Sequence, residues 1–225
     1  MSAAAAAAPA EETSIQTDSV TKYTTKMDID QIDALYRSRI TILDILEGRG
    51  YDTTPYRKFS PAEIAIASNY IASLNMSLKG RDAPEKICEV IYSKSNATTL
   101  NAFFDEADAT TEYIILTFQD NLEKYHAVTA KQFITRGLRA FVFNIPHIVN
   151  NPLMHVMVPK HTIVPKEEHA DLLKGLYVSE KRHLLHITSA DPIVRCIGGL
   201  PGDIIRIDRP SPNSGTYTVY RLVVA

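Results

Sequence analysis

Histidine is the chemistry-bearing residue type with the clearest clustering, because five of the seven histidines fall between His155 and His186. A metal site needs several such side chains on one face at ligand spacing. His183 and His186 lie three residues apart, which suits a helix. The surrounding run 182–187 is typical of a strand, however, where that spacing sends the two side chains to opposite faces. His169 is expected on the solvated face of a helix, so the histidines predict no metal centre.

The possible nucleophiles also lack the context that catalysis requires. The chain has two cysteines, Cys88 and Cys196, far apart and in apolar company, with no C-x-x-C pair. Buried structural thiols in a reducing intracellular compartment are the expectation. No G-x-S-x-G elbow occurs either.

Carboxylate and phosphate chemistry are equally unsupported by motifs. No Asp or Glu is followed two residues later by Lys, and no G-x-x-x-x-G-K loop occurs. The run 195–203 resembles a conserved box of bacterial-type signal peptidases, but the Ser-Met dipeptide of that family is missing. We therefore expect no enzyme activity, no cofactor and no small-molecule substrate.

Three arginines near the C-terminus lie in two strand-like runs: Arg206 and Arg209 in the first, and Arg221 in the second. One interpretation is a solvated face on which these arginines are paired across the two strands with Asp208 and Thr218. The other is a contact surface for a protein partner or a phosphate backbone.

Composition limits the possible functions further. Hydrophobic residues make up 45% of the chain and the net charge is -2, split into -4 over residues 1–154 and +2 over 155–225. Neither part is basic enough to coat DNA by charge alone. No apolar run approaches the roughly 20 residues that span a bilayer, so no membrane partner is expected. Residues 1–27, rich in Ala, Ser and Thr, predict a disordered tail rather than a targeting peptide.

The next 130 residues mix helical and strand patterns. Apolar residues at three- and four-residue steps predict a helix from Ile29 to the Gly48 stop, and Ser60, Pro61 and Glu63 predict the start of a second. Runs rich in β-branched and aromatic residues predict strands at 87–92, 113–118, 125–129 and 140–144. This order indicates an α/β domain over residues 28–157.

The final segment has sharper boundaries. Residues 154–158 and 182–187 are strand-like, and short helices are expected after Pro165 and after Asp191. Alternating runs at 204–209 and 217–224, separated by a loop at 210–215, predict an antiparallel hairpin. Residues 158–225 thus predict a small α+β domain with a mixed sheet and two short helices.

The C-terminal motifs resemble a known family. Their order runs from 158–161 through 172–174, 191–192, 202–203 and 209–211 to Tyr217 and 220–221. They are similar to the assembly domain of the fifth-largest subunit shared by eukaryotic nuclear RNA polymerases, whose archaeal equivalent resembles only this C-terminal part. Residues 35–37 and 46–51 look like the first helix of the jaw domain in the eukaryotic form, and 140–161 resembles the link between the two domains.

This resemblance implies a non-catalytic polymerase subunit. Residues 158–225 are then expected to dock on the largest subunit, and the jaw-like domain to lie beside downstream DNA.

The chain departs from the family pattern at residues 183–187, 200–201 and 211–213. Such divergence suits a protist, with the subunit in the nucleus, or a virus-encoded copy in a virion or cytoplasmic viral factory. The alternative is a stand-alone nucleic-acid-binding protein that uses the C-terminal sheet. The residues expected to contact the partner are Pro159, Lys160, His161, Asp191, Pro192, Arg195, Gly202, Arg206, Arg209, Pro210, Tyr217 and Arg221.

Overall fold

The computed structural model describes residues 27–213 and 215–225, which form helices and two mixed four-stranded sheets. This is the α+β class that the sequence predicts. The tail expected over residues 1–27 lies outside the described residues apart from Met27, which packs against the first core.

The first two helices begin where the sequence predicts. Helix α1 spans Ile29–Gly48, and the side chain of Asp28 caps it. Helix α2 spans Pro61–Ala67 and has a full capping box, in which Ser60 and Glu63 bond reciprocally. These bonds satisfy backbone N–H groups that the first turn of a helix leaves without partners.

The first sheet has the order β1-β2-β3-β4, with β1 antiparallel to β2 and the other three strands parallel. Helices α3 (Ala97–Glu106) and α4 (Glu123–Arg136) make the parallel crossovers. One buried cluster joins the sheet to α1 and α2, and a second joins its other face to α3 and α4. The strands are β1 (Met76–Lys79), β2 (Ile87–Tyr92), β3 (Glu112–Thr117) and β4 (Arg139–Asn144).

The strand expected at residues 125–129 is wrong, because these residues lie inside α4. Tyr125, Thr129 and Gln132 are its buried residues, and their spacing of four and three places them on one helical face. Gly137, with a φ of 72°, ends the helix in the left-handed conformation. The five-residue window was too short to separate this helical period from a strand period.

The second sheet has the order β5-β7-β8-β6, in which β6 runs parallel to β8 and the other neighbours are antiparallel. Strands β7 and β8 form the predicted hairpin, and they extend to Ser211 and from Gly215, so the loop is shorter than expected. Helices α5 and α6 pack in different apolar clusters on opposite faces of the sheet. The elements are β5 (Lys160–Ile163), α5 (His169–Gly175), β6 (Leu185–Thr188), α6 (Pro192–Ile197), β7 (Ile204–Ser211) and β8 (Gly215–Val224).

Short 3-10 helices replace two of the expected strand segments. Residues 154–158 are not a strand, because Pro152–Met154 is a 3-10 helix, a turn follows, and pairing begins at Lys160. The strand expected at 182–187 begins only at Leu185. The described 3-10 helices are Thr54–Tyr56, Ile71–Leu74, Pro146–Ile148, Pro152–Met154, Lys166–Glu168 and Lys181–His183.

The expectation for His169 is also wrong. This side chain is buried, and its Nε2 lies 3.1 Å from the carbonyl oxygen of Val164. The helix turns it back toward the preceding strand, whereas the neighbouring acids Glu167 and Glu168 remain exposed.

Candidate docking surface

The two faces of the second sheet carry different side chains. Ile205, Ile207 and Val223 pack with α6 on one face, while Ile204 and Leu222 pack with α5 on the other. Helix α6 has only six residues and therefore covers only part of its face. Five of the twelve predicted contact residues meet at the uncovered part.

An apolar groove of about 340 Å³ opens on the α6 face, and we call it the hairpin groove. Ile187, Ile207 and Val219 from three adjacent strands form its floor. Because their side chains are on the same face, the groove runs across the strands. Its full lining is Met157, Val158, Pro159, His161, Ile187, Asp191, Ile193, Ile207, Arg209, Val219 and Arg221.

Two arginines bring positive charge to this groove. Arg209 is exposed and lies opposite the exposed Tyr217 in the hairpin register. Arg221 donates a hydrogen bond from Nη1 to the carbonyl oxygen of His186 at 3.1 Å. An apolar floor with planar cations and a phenol at its edge has the composition of a protein-binding surface, in which Arg and Tyr are enriched.

The opposite face uses its polar groups internally. Arg206 donates from Nε to Asp208 at 3.0 Å, and the hydroxyl of Thr218 donates to the same carboxylate at 2.7 Å. The hydrogen bond from Thr218 is the main cause that lowers the pKa of Asp208, and the bond from Arg206 lowers it further. Arg206 thus follows the solvated-face interpretation, whereas Arg209 and Arg221 remain on the groove face.

An exposed apolar ridge borders the hairpin groove. Met154, Val156 and Met157 are 79%, 96% and 82% exposed. Three large apolar side chains within four residues form a local patch, and such patches mark interaction sites when they are contiguous with a groove.

Two arginines join the first sheet to the second. Arg195 in α6 is buried, donates to the carbonyl oxygen of Val142 in β4, and lies over the ring of Phe143 at 5.0 Å. Burial lowers the pKa of Arg195. From the other side, the guanidinium of Arg49 packs so closely against Gly198 that a Cβ there would overlap it.

Arg49 also forms a buried ion pair with Glu112, whose carboxylate accepts a further hydrogen bond from the Tyr51 hydroxyl at 3.2 Å. Burial of the phenol is the main cause that raises the pKa of Tyr51, and the negative charge of Glu112 raises it further. Cys196 of α6 belongs to the same apolar cluster as Cys88 of β2. Burial raises the pKa of both thiols to about 12, so they are inert structural cysteines as expected.

Comparison with known proteins connects this geometry to a family. Residues 150–223, which contain the second sheet and both of its helices, match the model of the RNA polymerase Rpb5 C-terminal domain. The "DNA-directed RNA polymerase subunit Rpo5" of Methanocaldococcus jannaschii is 44% identical over 70 residues, which cover 31% of this chain and 88% of the relative. This chain belongs to the Rpb5/Rpo5 family of RNA polymerase subunits.

Two further relatives show how much of the chain the family covers. The Rpo5 subunit of Thermococcus kodakarensis is 47% identical over 70 residues, or 31% of this chain and 84% of the relative. The "DNA-directed RNA polymerases I, II, and III subunit rpabc1" of Dictyostelium discoideum is 28% identical over 201 residues, or 87% of this chain and 100% of the relative. The similarity to a eukaryotic Rpb5 therefore extends through the first sheet, whereas the archaeal Rpo5 matches are confined to about a third of the chain.

In this Rpb5/Rpo5 chain, the twelve predicted contact residues fall into four groups. Pro159, His161, Asp191, Arg209 and Arg221 line the hairpin groove, and Tyr217 lies beside it. Lys160, Arg206 and Pro210 are on the opposite face of the sheet. Pro192 and Gly202 shape the start of α6 and the turn before β7, where Gly202 has a φ of 93°. Arg195 is buried between the sheets.

Sequence reasoning missed the polar cluster of Arg49, Lys86, Glu112 and Arg139, because its members are distant in sequence and share no motif.

Among residues 27–213 and 215–225, no group of three or more His, Cys, Asp or Glu side chains could hold a metal ion. Within the same residues, no helix has the length and apolarity needed to cross a membrane.

Proposed function

We propose that the chain is a non-catalytic subunit of a multisubunit DNA-directed RNA polymerase. Residues 158–225 dock on the largest subunit through the hairpin groove, and residues 28–157 lie beside downstream DNA. Family membership supports the subunit role, and the open groove is the observation that carries the docking role. The full-length match to a eukaryotic shared subunit supports the nucleus as the compartment.

The chemistry of the groove favours an apolar partner surface that also bears acidic side chains. Ile187, Ile207 and Val219 offer apolar area, while Arg209 and Arg221 offer fork-shaped donors that match carboxylates. Burying the groove and the adjoining ridge would remove apolar surface from water, which drives association. The arginines would then fix the register of the complex.

Two carboxylates of the second domain, Asp191 in the groove lining and Asp203 before β7, support a structural role because both accept backbone hydrogen bonds. Asp191 accepts hydrogen bonds from the backbone N–H groups of Ile193 and Val194, and Asp203 accepts one from Leu200. We expect no nucleotidyl transfer by the isolated chain, and purified protein that extended RNA with Mg²⁺ would contradict this.

Affinity purification of the tagged full chain tests the docking role. We expect recovery of two very large polymerase chains, identified by mass spectrometry. Arg209→Glu should lower that recovery about tenfold, since it places a like charge against an acidic partner. Arg206→Glu is the matched control, because it changes the same strand on the opposite face and should retain the complex.

The opposite pattern would overturn the docking proposal. If Arg206→Glu abolished recovery and Arg209→Glu did not, the partner would bind the α5 face. If the chain were recovered alone and bound DNA with strong salt dependence, the stand-alone nucleic-acid-binding alternative would replace the subunit role.

A further inference from the structure

A second cavity, of about 730 Å³, lies between the two sheets and shares only His161 with the lining of the hairpin groove. We call it the inter-sheet cleft. The end of α1 forms one wall, and the 3-10 helix Pro152–Met154, strand β5 and the end of α6 form the other. Its lining residues are Asp44, Ile45, Gly48, Arg49, Lys86, Arg139, Asn151, Leu153, Met154, His161, Ile163, Cys196, Ile197 and Gly198.

Strand register explains why charged side chains meet at this cleft. Glu112 pairs with Cys88 on one side and with Arg139 on the other, so all three share a face of the first sheet. Lys86 is two residues before Cys88 and directs its ammonium to the same face, 4.5 Å from the Tyr51 ring centroid. The charged groups therefore collect at the amino ends of the parallel strands, beneath the end of α1.

The charges in the cleft do not balance. The buried carboxylate of Glu112, only 2% exposed, is neutralised by Arg49. Arg139 is 4.0 Å from the same carboxylate and 41% exposed, and Lys86 is half-buried. Asp44, which also lines the cleft, pairs with Arg57 at 2.7 Å. Lys86 and Arg139 thus leave an excess of about two positive charges facing the cavity.

The pKa of the Lys86 ammonium reflects its burial and the charges around it. Burial lowers its pKa, and the charges of Arg49 and Arg139 add to that effect against the opposing influence of Glu112. An anion in the cleft would relieve both the burial of the ammonium and its repulsion by the two guanidinium groups.

We propose that the inter-sheet cleft binds a small phosphate monoester, with its phosphoryl group held by Lys86 and Arg139. A phosphate monoester carries a charge of about -1.5 to -2 at neutral pH, which matches the positive excess better than a single carboxylate does. Charge-assisted donors from an ammonium and a guanidinium suit its oxygens. The organic part lies against the apolar half of the lining, formed by Ile45, Leu153, Ile163 and Ile197.

Titration of the ¹⁵N-labelled full chain at constant ionic strength tests this site. The probes are inorganic phosphate, phenyl phosphate and acetate. We expect chemical-shift changes at the backbone amides of Arg49, Ile197 and Gly198, with phenyl phosphate binding more tightly than phosphate and acetate not binding. Lys86→Gln and Arg139→Gln should each weaken phenyl phosphate about tenfold, because each removes one charged donor.

Two matched controls separate this site from general surface charge. Lys131→Gln and Arg182→Gln remove exposed cations that do not line the cleft and should leave affinity unchanged. Equal weakening by these controls, shifts that map elsewhere, equal binding of acetate, or no phosphate binding at all would overturn the proposal. An unchanged far-UV circular dichroism spectrum establishes that each variant is folded. The readout does not depend on polymerase assembly, so failure here leaves the docking proposal intact.

Discussion

The first sheet is covered by the chain itself on both faces, whereas the second sheet is covered only in part on each face. All six residues of β3 are buried, and helices pack above and below them. In β5 and β6 no residue is buried, and in β8 only Val223 is. The same number of strands therefore gives a closed core in one region and an open surface in the other.

Polar side chains also differ between the two sheets in their burial and their partners. Near the first sheet, Glu112 and Arg195 are buried, the Arg49 side chain is only 9% exposed, and all three have partners within the chain. On the groove face of the second sheet, Arg209 is exposed beside exposed Tyr217. The closed region can be tested by stability, because its contacts are internal. The open region is tested better by assembly, since we propose that a partner covers it.

The largest expected effect comes from removing the buried carboxylate between the sheets. Glu112→Ala leaves Arg49 buried without its counter-ion, and breaking a buried pair in this way costs about 3–5 kcal/mol. Urea unfolding measures the change in the free energy of unfolding. Glu180→Ala, which breaks an exposed pair with Arg182, is the control and should cost less than about 1 kcal/mol. A loss below about 1 kcal/mol for Glu112→Ala would show that the pair is solvated.

A pair of truncations compares the two sheets directly. Ile114→Ala removes a fully buried side chain from the centre of the first sheet and should cost about 2–5 kcal/mol. Ile187→Ala, on the half-buried floor of the hairpin groove, should cost less than half as much. Equal losses in urea unfolding would remove the distinction between a closed and an open sheet.

Much of this architecture was predictable from local sequence signals. The apolar spacing from Ile29, the capping residue Ser60 and the hairpin run from Ile204 to Val224 have strong short-range patterns, and their elements lie where expected. The resemblance to the polymerase family rested on the same well-marked C-terminal segment, and the family match over 150–223 confirms it.

The errors occur where long-range packing decides the structure. Residues 125–129 have strand-forming side chains, yet burial of one face of α4 selects the helix. His169 lies among acids in sequence, but the fold turns it inward to Val164. The contact role expected for Arg195 stays a prediction, but its side chain is buried and its carbonyl partner Val142 lies 53 residues away in sequence. Such pairings depend on tertiary contacts that no local motif encodes.

A smaller, pH-dependent effect is expected at the junction of the two regions. His126 in α4 is partly buried near Arg195, and burial, foremost, lowers its pKa to about 4. Because the unfolded state binds a proton near pH 6.5 and the folded state does not, stability falls as pH drops from 6.5 toward 4. The expected loss is about 1–3 kcal/mol.

Urea unfolding at pH 7 and pH 4.5 measures this loss of stability. His126→Gln should lose less stability between the two pH values than the parent chain, and the difference isolates His126 from the titrating acids. His155→Gln changes an exposed histidine and should behave like the parent. Identical pH dependence in all three proteins would place His126 in a solvated environment.

The smallest expected effect concerns Asp191, which lies at the edge of the open region. Its variants distinguish a structural role of this side chain from a role in docking. Its carboxylate caps α6 through the N–H groups of Ile193 at 2.8 Å and Val194 at 3.3 Å. Asp191→Ala should therefore cost about 1 kcal/mol, while Asp191→Asn retains the cap and should be nearly neutral. If Asp191 serves only as a cap, Asp191→Asn also keeps normal recovery of the polymerase chains. Loss of recovery with unchanged stability would instead assign the Asp191 charge to the partner interface, so the open surface would extend beyond the floor of the hairpin groove to the start of α6.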